Sequence, residues 1–276
     1  MYHHSIADRD DAYTNGANKP GGDRWPDAWV GPARAFRDAS LAAGKAKLDL
    51  AYGDRPRNRF DLFLPDAEPK GLVVFVHGGY WMRFDQSFWS HLASGPVENG
   101  YAVAMPTYTL CPENRIAGIA TEIGQAVEKI AGMIDGPIHL AGHSAGGHLA
   151  ARLVCTNSTL SRDVLSRVRN VVSISGLHDL RPMLRTALNE TLRMDHAEAM
   201  AESPLFLEPV EGVRVTCWVG GGERSEFIRQ SKLLANAWIG VGGATAYVEE
   251  PDRHHFNIID GLADPTHPLT RTLLAD

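Results

Sequence analysis

The 276-residue sequence predicts a single α/β domain: a doubly wound, mostly parallel sheet of about eight strands, with helices on both faces. Three observations lead there. Two short strand-like segments near the start are joined by a polar turn. The chain after them alternates apolar runs with helix-like stretches. Several of the runs are almost continuously apolar, as strands buried on both faces are. Right-handed crossovers then place helices on either side of the sheet.

The elements follow in order. Residues 1–45 are rich in Gly, Pro, Asp and Arg, and "NKPGGDRWPDAWVGP" reads as irregular chain. This is an N-terminal arm, pinned to the body by Trp25 and Trp29, and residues 46–276 form the domain. "KLDLAY" (47–52) and "RFDLFLP" (59–65) read as two strands with "GDRPRN" as their hairpin turn. Six further strands are expected at 71–77, 101–108, 137–143, 168–176, 213–221 and 245–250. Between them, 84–100 opens after an Asp and closes on a Gly, and 116–134 repeats apolar residues at helical spacing. Residues 145–155 set Leu149, Ala150, Leu153 and Val154 on one face. The stretch 225–240 offers Ser225 as an N-cap, with Phe227, Ile228, Leu234 and Trp238 as its face. The long interval 180–209 reads as helical. It is either a small cap over the strand ends or a decorated crossover.

Composition narrows the function classes. No apolar run approaches the roughly 20 residues that cross a bilayer. The polar start "MYHHSIADRDDAYTNG" lacks a signal-peptide plan, so a cytoplasmic protein is expected, with Tyr2–His4 in a flexible terminus. The net charge is -6 with no block of Lys or Arg, which argues against nucleic-acid and anionic-membrane partners. Cys111, Cys155 and Cys217 are scattered, so neither a disulfide framework nor a zinc cluster is expected. The twelve histidines include no HExxH, and no metal site is expected.

Residues 142–146 read "GHSAG", a G-x-S-x-G between a strand ("PIHLA") and a helix ("AGGHLAARLV"). That context would expose Ser144 Oγ on a tight corner at the sheet's C-terminal edge. The N–H of Ala145 would sit at a helix N-terminus, where unpaired donors favour negative charge. A serine hydroxyl needs a base, and the base needs an orienting acid. The loop "PDRHHFNIIDG" after the last strand offers His254 and His255. His255 is favoured: Phe256 would anchor its backbone ahead of a last helix beginning at "FNII", and the resemblance below points the same way. For the acid, "GGERSEF" follows the preceding strand. Glu223 lies in the loop. Glu226 would lie in the first helical turn, where acids commonly serve the helix dipole. Asp179 is the fallback.

Taken together, "HGGYW" (77–81), "GHSAGGHLA", "SGLHDLRP", "GGGERSEFIRQS" and "HHFNII" resemble the α/β-hydrolase fold. More narrowly, they resemble its kynurenine formamidase (arylformamidase) branch, whose pattern is HGGxW. The resemblance spans roughly residues 47–275. It implies an oxyanion hole from the amides of Gly79, Tyr80 and Ala145, with Gly78 shaping the turn and His77 ordering the loop. Members usually carry Asp where this chain has Glu223. Tyr80, Trp81 and His178 are candidates for the pocket wall. The implied reaction is hydrolysis of an N-formyl aryl amide such as N-formyl-L-kynurenine through a Ser-Glu-His triad and an acyl-enzyme. No metal or organic cofactor is needed. A carboxylesterase of short-chain or aryl esters is the alternative, and a non-catalytic binder on the same fold is a remote one. The expected partner is a small-molecule amide or ester. A homodimer is left open.

Overall fold

Alternate residues of the apolar run Leu72–Val76 face two different cores. Leu72, Val74 and Val76 join one buried cluster, while Val73 and Phe75 join the other. All five are buried, as a strand with helices on both faces requires. A computed structural model describes Ile6 and residues 8–275, so the "MYHH" start lies outside the described residues.

Eight strands form one sheet: β1 (Ala46–Ala51), β2 (Arg59–Phe63), β3 (Leu72–Val76), β4 (Ala102–Pro106), β5 (Ile138–His143), β6 (Val168–Ile174), β7 (Arg214–Gly220) and β8 (Ala244–Glu250). Their order is β1-β2-β4-β3-β5-β6-β7-β8. β1 pairs β2, and β2 pairs β4, antiparallel; every other pair is parallel. This is the α/β-hydrolase arrangement expected from the sequence. The helices are α1 (Arg9–Tyr13), α2 (Trp25–Ala42), α3 (Ser94–Glu98), α4 (Ile116–Ala131), α5 (Ala145–Arg152), α6 (Arg162–Arg167), α7 (Asn189–Leu192), α8 (His196–Ala201), α9 (Ser225–Gly240) and α10 (Pro268–Leu273). Residues of α4, α5 and α9 fill one core; α2, α10 and the 3-10 helix Gln86–Ala93 fill the other. Among the described residues, no helix is long and apolar enough to cross a membrane.

Three local expectations are corrected. The supposedly irregular stretch from Trp25 onward is α2, an 18-residue helix. Pro26 sits in its first turn, where no N–H is needed. Gly31 and Pro32 lie on its exposed side, and Trp25, Trp29, Ala33 and Phe36 form its inward stripe at helical spacing. Ser225 is the first residue of α9 rather than its cap; Arg224 stands at the cap position, without a side-chain hydrogen bond. The "FNII" stretch is a turn, followed by the short 3-10 helix Asp260–Ala263 and then α10.

α2 is locked down in two ways. Trp29 is 4% exposed and its ring lies 5.1 Å from Trp89 and 6.0 Å from Phe256. Arg37 pairs with Asp61 of β2, whose carboxylate also accepts the Asp49 N–H at 3.0 Å. Removing the Trp29 ring leaves a cavity between α2 and the rings of Trp89 and Phe256. Trp29→Ala should therefore lower the unfolding free energy by ~3 kcal/mol, measured by urea denaturation. An unchanged midpoint would mean that the arm is not packed as described.

Candidate active site

The site begins where β5 runs into α5 with one residue between them. That residue, Ser144, has φ 56 and ψ -115. A non-glycine residue is held there only when its surroundings enforce it. Here the Ser144 N–H donates to Ile174 O at 2.8 Å, and the Ser144 carbonyl accepts from His148 N at 3.1 Å. The corner is also too tight for side chains around it. A Cβ on Gly146 would lie 2.0 Å from Val76 O. On the neighbouring β3 corner, a Cβ on Gly78 would lie 2.8 Å from His143 O and 3.2 Å from Ser144 Cβ.

Ala145 opens α5, so its N–H has no acceptor within the helix. The amides of Gly79 and Tyr80 donate to no group among the described residues. His77 fixes the loop that carries them. Its Nδ1–H donates to Gly78 O at 2.7 Å, its Nε2 accepts from Thr107 Oγ1 at 3.2 Å, and its ring stacks on Tyr108 at 4.3 Å.

The β8 loop brings His255 to the same end of the sheet. Its Nδ1 lies 2.7 Å from Glu223 Oε2, which leaves Nε2 free. The Glu223 side chain is fully buried, and its other oxygen accepts from Ser175 Oγ at 2.5 Å and Gly220 N at 2.9 Å. Glu226 is engaged elsewhere, by Tyr13 Oη at 2.6 Å and by Arg229 at 2.6 and 2.8 Å. Asp179 is occupied by Arg181 at 2.9 Å. His254 is half-buried, and its Nδ1 accepts from Phe256 N at 3.2 Å.

Two contributors were missed by sequence reasoning. Ser175 had a weak signal, as the residue that ends the strand next to β5. His143, the second residue of "GHSAG", was passed over because the motif leaves its second position open. His143 Nε2 lies 2.8 Å from His255 O, and a carbonyl only accepts, so Nε2 carries the proton. The rings of His143 and His255 lie 4.6 Å apart. Complete burial and the neighbouring His255 hold the His143 pKa well below its ordinary value, so it stays neutral.

Ser144, His143 and His255 line one cavity of about 1090 Å³. Tyr80 lines it too. Trp81 and His178 do not: both are fully buried, which corrects their expected place in the pocket wall. Tyr80 and Trp81 both have positive φ, 54 and 58, and this sharp turn sends the second ring into the core. There Trp81 packs edge-on to His148 at 5.2 Å. His178 sits under β6, its Nε2 3.4 Å from Ser173 Oγ.

The opposite wall is the N-terminal arm, residues 13–22, with Trp29 of α2. The 180–209 segment contributes Leu188 alone. The Tyr80 hydroxyl ties the arm down: it donates to Tyr13 O at 2.8 Å and accepts from Asn15 Nδ2 at 3.4 Å. Cys111, Cys155 and Cys217 are buried, and burial pushes each thiol up to about 12, so none is a thiolate nucleophile at neutral pH. Among the described residues, no group of three His, Cys, Asp or Glu is arranged to hold a metal ion.

This geometry can be set beside known proteins. The BD-FAE family profile matches residues 60–210, more than half of the chain and the segment that carries both glycine corners. The chain belongs to the BD-FAE family. Over a longer span, this BD-FAE chain is 28% identical to kynurenine formamidase of Danio rerio, across 90% of its own length and 87% of the relative's. It is 50% identical to a solved Silicibacter sp. TM1040 protein whose description as a thioesterase is provisional, with a TM-score of 0.90 over 96% and 98% of the two chains. An esterase from Pyrobaculum calidifontis, 18% identical, shares the fold at a TM-score of 0.67 over 90% of each chain. The protein is a hydrolase of the α/β-hydrolase fold.

Four buried histidines give the fold a pH signature. Burial lowers His77 and His148 to about 4 and His178 to about 3, and His143 is also lowered. In the unfolded chain each regains its ordinary value near 6.5. Below that pH the unfolded state therefore binds more protons, and stability falls as pH falls. The urea midpoint should be flat from about pH 8 to 7 and drop steadily between about 6.5 and 4. A midpoint unchanged down to about pH 4.5 would contradict neutral burial of these rings.

Proposed function

We propose that the protein is a serine hydrolase whose reaction runs through Ser144, His255 and Glu223, with an N-formyl aryl amide as substrate. The observation that carries this reading is the 2.7 Å contact between His255 Nδ1 and the buried Glu223 carboxylate, beside a cavity into which Ser144 opens. The carboxylate fixes the imidazole tautomer, so Nε2 is unprotonated and available as a base. Ser144 Oγ attacks the carbonyl carbon as its proton passes to His255. The amides of Gly79, Tyr80 and Ala145 stabilise the oxyanion. His255 returns the proton to the departing aryl amine, leaving Ser144 formylated. Water, deprotonated by the same ring, then releases formate.

His143 supports this cycle. Its hydrogen bond to the His255 carbonyl holds the base's backbone, and its neutrality keeps a second positive charge away from His255 when that ring is protonated.

The formamide reading is supported by similarity to kynurenine formamidases along most of the chain. Aromatic side chains on the cavity wall, among them Trp29, Phe84 and Phe256, suit an aryl leaving group. Carboxylester hydrolysis is the second reading. It is favoured by a partial match to plant isoprenylcysteine methylesterases, 32% identical over 42% of the chain.

Ser144→Ala should reduce turnover to near background and abolish labelling by an organophosphonate probe. Glu223→Gln should lower kcat on the order of 1000-fold by disturbing the tautomer, while Glu226→Gln, remote from His255, changes it little. The opposite pattern would move the acid to Glu226. For substrate class, kcat/KM for N-formyl-L-kynurenine should exceed that for p-nitrophenyl acetate. Formamide turnover at background beside good ester turnover would reject the formamidase reading.

A further inference from the structure

The polar turn between β1 and β2, "GDRPRN", commits one side chain to the loop that carries the Gly79 and Tyr80 amides. Arg57 is half-buried and donates three hydrogen bonds. Its Nε reaches Tyr108 O at 2.7 Å, and its Nη2 reaches Thr107 Oγ1 at 2.9 Å and Phe84 O. None of the three acceptors carries a charge. Strand pairing sets Arg57 there: Phe60 stands opposite Pro106, and Thr107 N donates to Arg59 O at 2.9 Å. Arg57 does not itself line the cavity.

Through these contacts Arg57 reaches both limbs of the 77–84 loop. A guanidinium can only donate, so the Thr107 hydroxyl accepts from Arg57 and turns its own hydrogen to His77 Nε2, 3.2 Å away. The His77 proton is then on Nδ1, which donates to Gly78 O at 2.7 Å. One donor of fixed polarity thus orients the hydroxyl, the imidazole and the entry limb in series. On the exit limb, Phe84 has φ 71, and its carbonyl is held by the same Arg57 nitrogen. This limb lies directly against Gly79. A Cβ on Gly79 would come 2.5 Å from Arg83 O and 2.8 Å from the Phe84 ring. Holding residues 83–84 therefore holds Gly79.

We propose that Arg57 is a positioning residue for this loop, gripping both limbs from outside the cavity and so fixing where the Gly79 and Tyr80 amides point. The proposal rests on the reading that these amides receive an oxyanion during hydrolysis at Ser144. Lysine cannot take over the task. Its ammonium is a point charge without the planar fork that meets acceptors on both limbs.

Hydrogen exchange on the full chain tests the grip without turnover. Met82 N closes the loop on Gly79 O at 3.0 Å. In Arg57→Gln and Arg57→Lys its exchange should quicken about 10-fold, while the amides of β5 keep wild-type rates. Kinetics test the consequence. With p-nitrophenyl acetate, kcat should fall about 30-fold in both variants at nearly constant KM, since the amides meet charge that only the transition state carries. Thr107→Val breaks the series in the middle and should cost about 10-fold in kcat; Thr107→Ser keeps the hydroxyl and should restore it. Circular dichroism checks folding, and if Arg57→Gln does not fold, the two Thr107 variants carry the test. Met82 exchange at the wild-type rate, a loss wholly in KM, or full activity with lysine would each overturn the proposal. A wild type with neither turnover nor Ser144 labelling would sink the hydrolase reading instead; the exchange result would still decide whether Arg57 holds the loop.

Discussion

The site depends on one backbone constraint: a strand must become a helix within a single residue, at Ser144, with positive φ. Only the removal of side chains around the corner allows it. The glycines at 78 and 146 let two corners of the sheet lie against each other, with carbonyls of β3 and β5 closer than any Cβ would permit. Parallel pairing of β3 with β5, in register from Leu72 opposite Ile138 to Val76 opposite Gly142, brings both corners to the same edge. Ser144, Gly79 and Tyr80 thus line one cavity because the sheet ends there.

Around that corner the polar groups are satisfied in an ordered way. Glu223 is a longer acid than the resemblance led one to expect. Its extra methylene lets the carboxylate fold back on the end of its own strand, taking the Gly220 N–H while still reaching His255. Ser175, at the end of the next strand, closes the third contact. A buried carboxylate with three donors costs far less than an unpaired one. The histidines behind the site follow the other solution to burial, remaining uncharged.

Much of this was legible in the sequence, for physical reasons that also explain the failures. The central strands announced themselves because parallel strands buried twice over are apolar almost without interruption, as in "LVVFV", while β1 and β2 were marked by the polar turn between them. Ser144 was legible because its corner demands small neighbours. α2 was not, because Gly31 and Pro32 read as breakers, while the stripe of Trp25, Trp29, Ala33 and Phe36 that decides the matter is only four residues deep. Trp81 and His178 were misplaced because residue type does not say where a side chain points; in the HGGYW loop that depends on two successive positive φ angles. The arm's role as a wall of the cavity leaves no local trace at all, since it arises from contacts with residues 65 or more positions away.

The Tyr80 residue joins two otherwise separate parts of the molecule. Its backbone belongs to the glycine corner, and its hydroxyl fastens a segment that precedes the first strand. The glycine corner and the cavity wall that faces it therefore come from stretches far apart in the chain. Because residues 16–22 face the corner without building it, substitutions there would change the cavity wall and leave the backbone of the corner as it is. On this layout, selection has a place to reshape the cavity without disturbing the corner that strand pairing builds.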